Sequence, residues 1–385
     1  MKTGNLYRVF YMALIIMAAC KQHYMPPVLT FNRNYLVVDG VIVTNNDSTV
    51  IKLSRTIRIS DTILPAPETG ALVSVVSENN SIYPLTEGSG GRYFSPGLNL
   101  NTTQKYRLNI TTSDGKQYQS DLVEAKQSPP IDSVYWHQDE SNNVKIEAAT
   151  HDPANIARYY RYEYVETWQY QADYLSLTDW VDSQPVLRTP DQQVFYCWSS
   201  QNSSNIIINS TANLSRDVAV NIPIAEVADG SEKIGYKYSI LVNQYSLTKD
   251  AWQFWSEMKK STEQLGTLFD PEPTQIPTNI HCITNPGEEV IGYVSVSSLQ
   301  SVRIFINRLD LGFWHFHPYY DAYQDLCVVK EASPDSMNYF FPAKGRRDYV
   351  LLGKQLGSDK YKIVFLTCAD CREHGGTNIK PLFWP

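Results

Sequence analysis

The sequence predicts a mainly β protein: an N-terminal immunoglobulin/fibronectin-like β-sandwich, then a larger β-rich domain with an amphipathic helix inserted. Three observations carry this. Short β-branched and aromatic segments recur at roughly ten-residue spacing, with Gly, Asn, Asp and Ser turns between them. The chain is only 19% charged and holds 21 Pro and 19 Gly, which suits strands and turns better than helices. At 385 residues and 43% apolar it is long enough for two or three domains, each with its own core.

The first element is an address. Lys2 and Arg8 precede the apolar run Val9–Ala19, which ends in Met17-Ala18-Ala19-Cys20. The run is shorter than the about 20 residues a membrane-spanning helix needs, and has the size of a secretory h-region. Small residues before Cys20 give a signal peptidase access to the backbone, and the thiol can carry a diacylglyceryl group. Residues 1–19 therefore read as a lipoprotein signal peptide, Cys20 as the lipidated N-terminus, and 20–34 as a tether. No later run reaches membrane-spanning length.

Residues 35–127 read as the sandwich. Tyr35–Val43 is nearly all apolar, and Asp39-Gly40 within it suggests one long strand with a glycine bulge. Strands follow near Val50–Thr56, Ala71–Val76, Arg92–Phe94, Lys105–Thr111 and Gln117–Val123. Ser128-Pro129-Pro130 is the linker candidate, because consecutive prolines hold the chain extended. Residues 131–385 form the second domain. Tyr159–Thr167 and Lys237–Tyr245 are its most strongly patterned strands, and Tyr160, Tyr162 and Tyr164 at period two fit a buried face. Between residues 247 and 265, Ala251, Phe254, Trp255, Met258, Thr262 and Leu265 fall on one helical stripe. Ser246 or Thr248 caps its start and Gly266 its end. The helix near 248–265 is expected to pack on the domain's own sheet.

The formal charge of −7 excludes a basic nucleic-acid face. With Cys20 lipidated, the other cysteines are Cys197, Cys282, Cys327, Cys368 and Cys371, an odd number in an exported chain, so at least one thiol is free or pairs between molecules. Cys368-Ala-Asp-Cys371, with His374 beyond, allows a zinc or redox site. Structural disulfides, local or to distant partners, are the expectation in an oxidising compartment. His315-Phe-His317 puts two imidazoles on one strand face, but two ligands without a third make no metal site. Neither a metal nor a cofactor is expected.

Several blocks together resemble one family. They are Tyr35-Leu36-Val37-Val38-Asp39-Gly40, Leu53-Ser54-Arg55-Thr56, Pro129-Pro130-Ile131-Asp132-Ser133-Val134 and Tyr238–Leu247. Gly266-Thr267-Leu268-Phe269-Asp270-Pro271 and Ile291-Gly292-Tyr293 follow. The most specific come last: Cys368-Ala369-Asp370-Cys371-Arg372, Gly375-Gly376-Thr377-Asn378 and Lys380-Pro381-Leu382-Phe383-Trp384. The chain is similar to the DUF4249 lipoproteins of Bacteroidota. The resemblance implies an outer-membrane lipoprotein often encoded beside TonB-dependent, SusC-like receptors, with no established activity to carry over. The residues after Cys20, Lys21-Gln22-His23-Tyr24, lack the acidic run that accompanies surface export in the phylum, so the membrane face stays open.

Function then divides three ways. The first is a non-enzymatic envelope lipoprotein, an accessory or ligand-capture partner of a TonB-dependent SusC-like transporter. Its candidate surface is the aromatic stretch holding Trp314, Phe316, Tyr319, Tyr320 and Tyr323, where Pro318 breaks strand alternation. The second is a structural component of an envelope complex. The third, a glycan- or peptide-active hydrolase, needs converging carboxylates, yet Glu163 and Glu166 would face opposite sides of a strand, with Asp173 beyond. No residue is assigned a catalytic role.

Overall fold

The computed structural model describes residues 34–57, 65–263, 277–315, 327–342, 345 and 347–385. The signal, Cys20 and the tether lie outside these. Alternating apolar residues make strands throughout. The first unit carries β1 (Leu36–Val43), β2 (Thr49–Arg55), β3 (Leu72–Ser77), β4 (Ile82–Pro84), β5 (Thr86–Glu87), β6 (Arg92–Ser95), β7 (Lys105–Thr111), β8 (Gln117–Ser120) and β9 (Val123–Glu124). Then come β10 (Ile131–Gln138), β11 (Val144–His151), β12 (Tyr159–Gln171), β13 (Thr178–Val181), β14 (Gln184–Leu187), β15 (Tyr196–Asn202), β16 (Ile207–Ser210), β17 (Val218–Val227) and β18 (Lys237–Ser246). Helix α1 (Lys249–Glu263) is followed by β19 (Ile280–Cys282), β20 (Val290–Gly292), β21 (Ser295–Ser297), β22 (Leu299–Asn307), β23 (Lys330–Ala332), β24 (Tyr349–Lys354) and β25 (Tyr361–Phe365). The protein is mainly β, with several antiparallel sheets and few helices.

The first unit is two sheets face to face. One runs β20-β1-β2-β6-β5 and the other β19-β8-β7-β3-β4, and both contribute to one core around Leu36, Leu53, Tyr93, Tyr106, Leu108 and Tyr118. Residues 35–127 do not complete these sheets alone. The distant β19 pairs with β8, and β20 and β21 lie parallel to β1. Gly40 makes no bulge, since β1 runs against β2 without a register shift. It is required by close approach: an added Cβ would sit 2.4 Å from the Val50 carbonyl oxygen, at a φ of +148°. Gly292 plays the same part on the other side of β1, where an added Cβ would lie 2.1 Å from the Val38 oxygen.

A second core lies between the three-stranded sheet β10-β11-β17 and the sheet β15-β12-β18-β22, on whose β12 the short β16 also pairs. Tyr160 and Tyr162 are buried in it, with Tyr164 partly buried, as the period-two reading expects. A smaller lobe combines the hairpin β13-β14 with the sheet β23-β25-β24 around Trp180, Met337 and Phe341. Helix α1 is capped by the Thr248 hydroxyl, which accepts from the Ala251 N–H. It buries Ala251 and Phe254, lays Trp252 against Tyr159, and places Trp255 beneath the Arg161 guanidinium at 3.7 Å. The stripe thus covers its own sheet. Gly266 lies outside the described residues.

The two units are locked where the linker was expected. Ser128 and Pro129 are buried. The Ser246 N–H donates to the Ser128 hydroxyl (2.7 Å) and to the Ser297 hydroxyl (3.1 Å), while the Ser128 N–H donates to Ser298 Oγ (2.8 Å). Gln244 donates to the Pro129 carbonyl at 2.7 Å. Buried backbone groups need such partners, and small hydroxyls supply them without filling the junction.

Two outcomes are expected. A fragment of residues 34–127, deprived of β19–β21, should show an unfolded amide spectrum by NMR; a dispersed one would contradict the shared-sheet architecture. Gly292→Ala in the full chain should lower urea stability by about 2 kcal/mol or more, since the new methyl meets backbone on the neighbouring strand.

Candidate binding surface

The aromatic stretch begins where β22 ends. A turn at Arg308–Asp310 is closed by the Asp310 carboxylate, which accepts from the Asn307 backbone and side chain. Gln138, the last residue of β10, then grips the chain from both sides. Its carbonyl oxygen accepts from Gly312 N and its amide donates to the Phe313 oxygen, each at 2.8 Å. Asp229, just after β17, accepts from the His315 backbone N–H at 2.9 Å and bonds the His315 ring with its other oxygen. Gly230 leaves room for this crossing, because a Cβ there would stand 2.7 Å from the His315 carbonyl.

The consequence corrects one expectation. Trp314 is 6% exposed and packs in the second unit's core, so it anchors the loop rather than presenting a surface. Its neighbour Phe313 is the presented ring: it is 57% exposed and meets His315 edge-on at 4.3 Å. Phe313 and His315, on either side of Trp314, are both exposed. Phe316, His317, Tyr319, Tyr320 and Tyr323 lie outside the described residues. The chain is described again from Cys327, which is tied to Cys368, and whose carbonyl accepts from the Tyr174 hydroxyl at 2.9 Å. Partial burial alone would raise the Asp229 pKa, but hydrogen bonds from the His315 ring, the His315 N–H and Gly230 outweigh it and hold the carboxyl below its usual range.

The cysteines pair as Cys197–Cys371 and Cys327–Cys368, leaving Cys282 as a buried free thiol. The two sulfurs of Cys368-Ala-Asp-Cys371 thus go to different distant partners, which removes both as zinc ligands or as a redox pair. Among the described residues no group of three His, Cys, Asp or Glu is arranged to hold a metal. Glu163 and Glu166 face opposite ways, as alternation requires. Glu163 pairs with Arg161 at 2.6 Å. Glu166, 4% exposed, accepts from Lys233 (2.5 Å) and from the Tyr238 hydroxyl (2.6 Å). Asp173 lies past the end of β12.

The cavity between the units, about 830 Å³, is lined by Lys126, Ser128, Asp152, Arg158, Tyr159 and Ser246 among others. Its charged groups hold its walls. Asp152 accepts from the backbone N–H groups of Ala154, Ile156 and Ala157. Lys126 pairs with Glu124 at 2.9 Å, and Arg158 donates to the carbonyls of Thr211 and Leu214. These contacts engage the groups an acid–base pair would need.

The family described as "Domain of unknown function (DUF4249)" matches residues 21–303. No curated protein matches the chain. Among solved structures it is similar to trypsin-activated alpha-2-macroglobulin from Escherichia coli, with a TM-score of 0.20, 8% identity, and 57% of this chain aligned to 15% of that one. It is also similar to the adhesin InvE of Yersinia pseudotuberculosis, with a TM-score of 0.14, 13% identity, and 55% of this chain aligned to 54% of that one. The chain spans only part of either protein, and neither likeness bears on function.

Non-reducing peptide mapping should recover the Cys197–Cys371 and Cys327–Cys368 links and no Cys368–Cys371 link. Cys282 should be alkylated only after unfolding. Replacing Cys197 and Cys371 together by Ser should cost about 2–5 kcal/mol of stability. The depressed Asp229 pKa means that its stabilising contribution is complete above the unfolded value of about 3.9 and is lost as pH falls through the folded one. Its carboxyl carbon should therefore titrate below that of an exposed Asp by NMR.

Proposed function

Because the chain belongs to the DUF4249 family, we propose that it is a non-enzymatic envelope lipoprotein, lipidated at Cys20 and held at the outer membrane. In this reading it is an accessory or ligand-capture partner of a TonB-dependent SusC-like transporter, and its first unit is an immunoglobulin/fibronectin-like sandwich serving as scaffold. The observation that carries it is the exposed ring of Phe313 on a fixed segment. Gln138 and Asp229 hold the backbone at residues 312–315 and Trp314 is buried, while Phe313 stands exposed. Rigidly held aromatic rings lose little entropy on binding, which is what makes them anchors of protein interfaces. The engagement of Asp152, Glu163 and Glu166 in structural contacts also favours binding over hydrolysis.

The test is affinity purification of the tagged, lipidated protein from detergent-solubilised outer membranes. A SusC-like barrel should co-purify, and Phe313→Ala should reduce its recovery severalfold, as loss of an anchor worth about 2 kcal/mol would. Trp314→Ala should instead lower the melting temperature, since it empties a core site. Recovery of no outer-membrane barrel would defeat the proposal.

A further inference from the structure

On the outer face of the sheet β15-β12-β18-β22, Lys237 and Arg303 have no carboxylate partner among the described residues. β18 and β22 pair Lys237 with Asn307, Ser239 with Phe305 and Leu241 with Arg303, while the alternate residues Tyr238, Ile240 and Ile306 enter the core. Lys237, Ser239, Arg303 and Phe305 therefore share the outer face. The C-terminal segment lies across it. The Trp198 backbone N–H donates to the Thr377 carbonyl, the Trp198 carbonyl accepts from the Thr377 N–H, and Trp384, 5% exposed, meets Phe305 and Trp198 edge-on.

Arg303 is fixed in place. Its guanidinium lies 3.6 Å over the Phe383 ring and donates to the Ser239 hydroxyl at 3.0 Å. Lys237 sits 5.3 Å from the centre of the Phe305 ring. Lys380, on the segment between Thr377 and Trp384, is exposed and has no carboxylate partner among the described residues either. Glu163 is paired with Arg161, while Asp310 accepts from the neutral Asn307 and keeps its charge. Burial without a counter-charge lowers the Arg303 pKa. In a protein of net charge −7 this is a local positive patch. Apolar side chains stand out from it into water: Leu382 fully exposed, Ile379 at 74% and Phe383 at 42%.

We propose that this patch docks an acidic segment of a partner protein, its carboxylates meeting Arg303, Lys237 and Lys380, and its apolar residues covering Ile379, Leu382 and Phe383. A pre-positioned guanidinium favours bidentate carboxylate recognition. The occupant is a protein segment because Ile379, Leu382 and Phe383 stand exposed beside the cations, a mixed apolar and charged surface that suits an extended chain. A lipid surface is the competing occupant, which the bicelle arm of the test separates. The proposal stands whether or not the partner is a transporter barrel.

The test is a fluorescence anisotropy titration of the full chain in detergent with a labelled peptide of alternating Glu and Leu, and its Lys–Leu counterpart as control. The acidic peptide should bind, and more weakly as salt rises from about 50 to 500 mM. Arg303→Gln should weaken it about tenfold or more. Lys237→Gln and Lys380→Gln, at less buried positions, should each weaken it, and they carry the test if Arg303→Gln perturbs folding. Equal binding of both peptides, unchanged affinity in all three variants, or no saturable binding below about 1 mM would overturn the proposal. Stronger competition by phosphatidylglycerol bicelles than by zwitterionic ones would overturn it in favour of a lipid surface.

Discussion

Everything in this structure hangs on one stretch of chain that belongs to both units. From Val290 to Asn307 it pairs with β1 in the first unit as β20 and β21, passes Ser298, and at once pairs with β18 in the second as β22. At the crossing, the hydroxyls of Ser128, Ser297 and Ser298 meet the backbone of the two connecting segments, and Gln244 closes on Pro129. A sliding of one unit against the other would expose ladder bonds and leave these buried groups unpaired, each at a cost of about 1–3 kcal/mol. The Val41, Val43 and Tyr245 contact, and the Asn45 amide gripping both backbone groups of Leu299, tighten the same seam. The junction is therefore a fixed hinge point without hinge freedom, and the surfaces at the two ends of the molecule keep a constant relation.

The abundance of tyrosine follows from how the cores are built. The largest fully buried side chains are Tyr93, Tyr106, Tyr118, Tyr160, Tyr162 and Tyr238. A ring fills volume between sheets, and burying its hydroxyl is costly unless it is bonded; the Tyr162 hydroxyl alone of these six has no partner among the described residues. Tyr93 bonds the backbone of Glu68 and Ala71, Tyr118 bonds Glu288, Tyr160 bonds Asp217 and Tyr238 bonds Glu166. Buried acids such as Glu166 and Asp217 are thus parts of the cores. Burial raises the pKa of these phenols well above the usual value, so they remain neutral donors through the physiological range.

Much of the local structure was legible from residue order. The period-two rule placed Tyr160 and Tyr162 inside and separated Glu163 from Glu166, and the apolar stripe of α1 located a helix that lies on its own sheet. The Trp314 assignment failed for a physical reason. A short aromatic run with proline reads as exposed loop, yet the Gln138 and Asp229 bonds that turn Trp314 inward come from residues far away in sequence. At the two-proline segment, prolines forbid ladder bonds, but nothing local shows that the neighbouring Ser128 will be bonded by Ser246 and Ser298.

Sequence alone determined what short-range physics controls: strand periods, the helix and its stripe, an odd number of cysteines beyond Cys20, and membership of the family whose model matches residues 21–303. Tertiary structure alone decided which cysteine stays free, that the Cys368 and Cys371 sulfurs part company, that β19–β21 complete the first unit, and that Arg303 and Lys237 share a face with the C-terminal segment. Each of these is a pairing across long sequence separation. Loop closure costs grow only slowly with chain length, so the chain's local pattern leaves many such pairings open, and only the packing of whole sheets selects among them.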